Sequence, residues 1–215
     1  MKRILVINPN SNQAVTDGMA EALAPLSLPG HVEIECATLT EGPFGIETQY
    51  HADSVLLPLR DTVLRRTDAD AFVIACYSDP GLALCRDATE KPVYGIQESG
   101  LFAALQRGDR VGVIALGPKS IARHIPYIRA LGLSSRLAGE RALHLSVAES
   151  EAESAFPRVL EVGRALIETD MADTLVLGCA GMAGHRAKLS QALGVPVTDP
   201  TQAATIQALG TVLLA

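Results

Sequence analysis

The chain has 215 residues, a formal net charge of −6 and no tryptophan, with 48% apolar and 20% charged residues. That length allows one sizeable domain or two small ones, and the composition is that of an ordinary soluble globular protein. The acidic balance and an aromatic content of only 4% argue against nucleic acid or an anionic membrane surface as a partner.

No apolar run reaches the roughly 18 residues that a membrane span needs. The opening MKRILVINPNSN turns polar after a short apolar run, which predicts a first strand and not a leader peptide. A cytoplasmic location is expected, where Cys36, Cys76, Cys85 and Cys179 stay as thiols. No pair has Cys-x-x-Cys spacing, so neither a zinc site nor a redox dithiol is expected.

In chain order, eight short runs predict strands: RILVINP from Arg3, HVEIECATL from His31, DAFVIAC from Asp70, KPVYGI from Lys91, DRVGVIALGP from Asp109, ALHLSV from Ala142, DTLVLGC from Asp173 and VPVTDP from Val195. Most are rich in Val and Ile without polar alternation, the pattern of strands covered on both faces. Helical spacing fills many of the intervals, from Val15, from His51 through Arg66, from Phe156 and from Thr201. Strand–helix alternation predicts a mostly parallel α/β sheet.

The runs fall into two sets of four. Asp70–Cys76 matches Asp173–Cys179, Lys91-Pro92-Val93 matches Val195-Pro196-Val197, and the run from Arg3 matches that from Arg110, at offsets of 103 to 107 residues. This predicts a duplicated α/β fold with two similar halves. Each half has a mainly parallel four-stranded sheet flanked by helices, and a cleft lies between them. The halves are placed at 1–107 and 108–200. Residues 201–215 form a C-terminal helix expected to return to the first half.

In such sheets ligands collect at the carboxyl ends of strands. Cys76 in ACYSDPG and Cys179 in GCAGMAG both fall at strand ends. After Cys76, Asp79 is the expected N-cap and Pro80 the first helical residue, so a thiolate there gains from free N–H groups. After Cys179, Ala180 and Gly181 leave backbone N–H groups unobstructed for substrate oxygens. Halves facing across a cleft bring the two thiols to opposite sides of one ligand. That arrangement suits proton removal from one face of a carbon and return to the other. Cys36 and Cys85 are assigned to packing.

Asn8, Asn10 and Ser11 end the first run, with Ser11 as a helix-cap candidate. Gly117 lies in the counterpart loop, where Lys119 is assigned to solvent. Residues 41–51 predict a loop able to lie over the cleft, with Phe44 and Ile46 reaching a substrate. His185 stands six residues after Cys179 and is a weak candidate for assistance; the other histidines are assigned to the surface. Glu98 and Ser99 receive no role. NPNS lacks the glycines and GKS ending of a phosphate loop.

The motifs VINPNS (Val6–Ser11), EGPFGIE (Glu41–Glu47), ACYSDPG (Ala75–Gly81) and LGCAGMA (Leu177–Ala183) together resemble the hydantoin and allantoin racemases of the aspartate/glutamate racemase superfamily. The resemblance spans essentially the whole chain. It implies a cofactor-independent racemase, without a metal, whose catalytic cysteines are Cys76 and Cys179. Substrate contacts are expected from Asn10, Phe44, Ile46, Tyr77, Ser78, Asp79, Gly117, Ala180 and Gly181. The partner is a small molecule, and a homo-oligomer is possible.

Arylmalonate decarboxylases of the superfamily have a small residue in place of the first cysteine, whereas this chain has Cys76. Its Tyr77-Ser78 and Ala180-Gly181 also differ from the Cys-Asn-Thr and Cys-Thr-His patterns that grip an α-carboxylate in the amino-acid racemases. A neutral 5-substituted hydantoin or allantoin fits better. GIQESG (Gly95–Gly100) departs from the form expected of hydantoin racemases. Maleate-type cis–trans isomerisation and a non-catalytic binding protein remain alternatives.

Overall fold

A computed structural model describes residues 1–214. The first half runs β1 (Lys2–Asn8), α1 (Gln13–Leu23), β2 (Val32–Thr38), α2 (Gln49–Ser54), α3 (Leu56–Arg65), β3 (Ala71–Ile74), α4 (Leu82–Ala88), β4 (Val93–Gly95) and α5 (Ile96–Leu105). The second runs β5 (Val111–Ala115), α6 (Pro118–Ala130), β6 (Leu137–Ala142), α7 (Val147–Glu151), α8 (Phe156–Glu168), β7 (Thr174–Leu177), α9 (Arg186–Leu193), β8 (Val197–Thr198) and α10 (Pro200–Leu214). Strand order is β2-β1-β3-β4 in one sheet and β6-β5-β7-β8 in the other, and every pairing is parallel. The two sheets therefore have the same topology, as the offsets predict.

Alternate residues of the central strands face different cores, which explains their unbroken apolar character. Ile4 and Val6 of β1 and Val73 of β3 join Val113 and Val176 in the core shared by the two sheets. Leu5, Ile7, Phe72 and Ile74 point the other way, under α2, α3 and α4. Ile114, Leu175 and Leu177 of the second sheet pack beneath α8 and α9.

The shared core contains a reciprocal exchange. Helix α5, which follows β4, packs against β7 and β8 of the second sheet. Helix α10, which follows β8, packs against β1, β3 and β4 of the first, and α5 and α10 lie against each other. Close approach needs Gly100, because a Cβ there would sit 2.7 Å from Pro200 Cβ and 3.3 Å from Val176 Cγ1.

Two sequence expectations shift. The sixth strand is Leu137–Ala142, not the run from Ala142. As the edge strand of its sheet it tolerates Glu140 and Arg141, so its polarity hides it. The apolar Leu143 beyond it is buried, but His144 turns at φ 60° and ends the strand direction. The helical pattern from His51 is also two helices, broken at Val55.

Gly100→Ala should destabilise the fold by about 1–3 kcal/mol through overpacking of α5 on α10. Urea unfolding followed by circular dichroism measures this, and an unchanged midpoint would contradict so tight a crossing.

Candidate active site

Cys76 and Cys179 each stand two residues beyond the end of their strand, β3 and β7. These strands occupy equivalent places in their sheets, so the thiols occupy equivalent places in the fold. Both line one cavity, open at its mouth, at the carboxyl ends of the strands. Asn10, Ile46, Tyr77, Ser78 and Ala180 line it as well. All four cysteines are free thiols. Among the described residues no group of three or more His, Cys, Asp or Glu could hold a metal ion.

Burial raises both active-site thiols, but their surroundings differ. The Ser78 amide and hydroxyl and the Arg123 guanidinium offset part of that rise at Cys76, while Asp79 opposes them. Cys179 is pushed up to about 12 by burial, despite the Gly181 amide and the Ser150 hydroxyl, with Cys76 and Glu151 adding to the rise.

The β1–α1 turn is held by asparagines. Asn8 Nδ2 donates to Asn10 Oδ1 and Thr16 Oγ1, and Asn12 N–H also donates to Asn10 Oδ1. Asn10 Oδ1 is thereby occupied, and its amide nitrogen is left for the cavity. Asn12 caps α1, not Ser11. Of the loop 41–48, Ile46 lines the cavity. Gly42 is required there, because a Cβ would meet Pro9 O at 2.4 Å. Ile46 is buried against the cavity, but Phe44 is 65% exposed and faces away from it. Neither Gly117 nor Gly181 borders the cavity; Leu116 and Ser120 stand where Gly117 was expected.

Asp79 has a different role from the one expected. Its carboxylate accepts the amides of Gln97 and Glu98 at 2.9 and 3.1 Å, so it caps α5. The pull places Asp79 at φ 43° and delays its own helix to Leu82, with Gly81 at φ 70° as N-cap. Gly95 permits the approach, since a Cβ there would lie 2.3 Å from Asp79 Oδ2. This accounts for part of the GIQESG segment, in which Glu98 also accepts hydrogen bonds from Arg86 and Tyr127.

Two residues of α6 escaped the sequence reading. Arg123 donates to Ser78 Oγ, Glu47 O, Lys119 O, Ile46 O and Ser120 Oγ, at 3.0–3.4 Å. A cation therefore does border the cavity, but protein acceptors take all five of its N–H donors. His124, assigned to the surface, is 2% exposed and lines the cavity beside Tyr77. Only their place in the i, i+3, i+4 pattern of α6 could have flagged them. His185 is buried outside the cavity, with Nε2 on the Ser150 carbonyl at 3.0 Å.

Residues 4–208 match the family model described as Asp/Glu/Hydantoin racemase. The chain belongs to that family. It is a racemase-type isomerase. A hydantoin racemase of Paenarthrobacter aurescens is 33% identical over 208 residues, covering 94% of this chain and 87% of that protein. An allantoin racemase from Klebsiella pneumoniae superposes with TM-score 0.94 at 28% identity, over 100% of this chain and 89% of that one. The allantoin racemase of Pseudomonas fluorescens gives 0.93 at 28% identity, over 99% and 91%.

Two measurements check these electrostatics. Arg123→Met should move the pH midpoint of Cys76 alkylation upward, because the cation favours the thiolate; peptide mass spectrometry against pH reads it. Burial raises Asp79 to about 7, above its value in an unfolded chain. Its stabilising share is thus complete below about pH 4 and lost as pH rises through about 7. Asp79→Asn should therefore gain stability relative to wild type between pH 4 and 8, as measured by denaturant unfolding at each pH. Asp199, raised to about 6 for the same reason, leaves a residual slope of the same sign in the variant.

Proposed function

We propose that the chain racemises a neutral cyclic ureide, allantoin or a 5-substituted hydantoin, by proton exchange between Cys76 and Cys179 without a cofactor. The observation that carries this reading is the pair of thiols at equivalent strand ends lining one cavity. The hydantoin racemase and allantoin racemase relatives support the substrate class.

Cys76 acts as the base toward the first enantiomer, because Ser78 and Arg123 offset part of the rise that burial imposes on its thiol. Cys179, pushed up to about 12, is the resting acid. The Cys76 thiolate removes the hydrogen on the ring carbon. The electron pair delocalises into the adjacent carbonyl as an enolate. The Cys179 thiol then delivers its proton to the opposite face. The cycle closes when the two sulfurs exchange their proton, and the opposite enantiomer runs it in reverse.

The charge pattern supports a neutral substrate. A free carboxylate would need a cation with unused donors, and those of Arg123 are taken by the protein. Apolar Val15, Ile46, Leu116 and Val147 line the rest of the wall.

Polarimetry with single enantiomers of allantoin, 5-benzylhydantoin, 5-isobutylhydantoin, aspartate and glutamate tests the reading. Ring compounds should lose optical rotation without added metal or cofactor, with solvent deuterium entering the ring carbon. Cys76→Ser and Cys179→Ser should each abolish racemisation while still exchanging the hydrogen of one enantiomer; Cys36→Ser and Cys85→Ser should be nearly silent. Faster turnover of either amino acid, or near wild-type racemisation in either active-site variant, would overturn the proposal.

A further inference from the structure

The enolate oxygen needs a hydrogen-bond donor, and most of the expected ones are engaged. The Asp79 amide donates to Cys76 O at 2.9 Å. The amides of Ser78 and Gly181 face the two sulfurs, and Arg123 has no donor to spare. The Ala180 amide and the Asn10 side-chain nitrogen remain at the cavity, and a further donor at the developing oxyanion adds to what is commonly the largest catalytic contribution.

His124 stands at the same cavity. Its Nδ1 is hydrogen-bonded to Glu140 Oε1, and both side chains are almost wholly buried, at 2% and 1% exposure. Tyr77 meets its ring edge-on, with centroids 4.9 Å apart and planes at 78°. A buried pair of this kind has little value for stability, since apolar residues of equal volume do as well or better. With Nδ1 occupied, Nε2 is the ring nitrogen left for the contents of the cavity. A hydrogen on Nε2 makes that nitrogen a donor toward the cavity.

We propose that His124 is a catalytic residue whose Nε2–H holds the substrate carbonyl oxygen beside the reacting carbon, and that Glu140 is the positioning residue that fixes its ring and tautomer. The assignment rests on the ureide reading above. As the Cys76 thiolate takes the carbon-bound proton, the electron pair moves onto the carbonyl oxygen held by His124. The pair returns to carbon as Cys179 gives up its proton, and His124 keeps its hydrogen throughout.

The test uses the full chain, with allantoin and 5-benzylhydantoin as substrates. His124→Phe, which preserves ring shape, should lower kcat by about 10²–10³-fold with KM within a few-fold. His124→Gln, which restores an N–H donor, should recover part of that loss. Glu140→Gln should lower kcat at constant KM. Circular dichroism and thermal midpoints establish that each variant is folded, and loss of packing alone would not confine the effect to kcat. A folded His124→Phe with kcat within three-fold of wild type overturns the assignment; if that variant does not fold, a folded His124→Gln whose KM rises while kcat holds does so. Wild-type protein that turns over neither ring overturns the ureide reading itself and takes the His124 assignment with it.

Discussion

The crossing of α5 and α10 is the constraint on which the site depends. Each helix follows the last strand of one half and packs against the sheet of the other, so neither sheet has a complete inner face by itself. The contact is close because Gly100 presents no side chain to Pro200. It holds the carboxyl ends of β3 and β7 toward one another, and with them Cys76 and Cys179. One cavity lined by both thiols follows from this crossing and from the equal position of each cysteine beyond its strand.

Polar contacts within the first half and between the halves refine that frame. Asp79, after β3, caps the helix that packs on the second sheet. Arg123, on α6 of the second half, binds the Ile46 and Glu47 carbonyls of the first-half loop. Glu47 in turn accepts the Val147 amide at the start of α7. These groups are partly or fully withdrawn from water, and such groups are tolerated when they are hydrogen-bonded. The bonds tie the loop that carries Ile46 to the half opposite its own.

The α/β class, the duplication and seven of the eight strands were legible because strands buried on both faces leave continuous Val/Ile runs. The edge strand β6 was not, since an edge admits Glu140 and Arg141. Cys76 and Cys179 stood out because a strand end followed by small residues is a local pattern. Asp79 looked like a local cap until a helix 18 residues further on took its carboxylate. Arg123 and His124 reach the cavity only through the way α6 lies against β5 and β6. No short motif contains that information. Phe44 was misplaced for a related reason: alternation along a loop does not say which side faces inward, and Ile46 took the inner position.

The two thiols are equivalent in topology but unequal in charge, with Arg123 beside Cys76 and Glu151 near Cys179. Racemisation has an equilibrium constant of one, because enantiomers have equal free energy in water. The Haldane relation then makes kcat/KM identical in the two directions, whatever the protein does. The electrostatic bias cannot favour one enantiomer in yield. It can only divide the same specificity constant differently, giving one enantiomer a higher kcat and, by the same factor, a weaker KM.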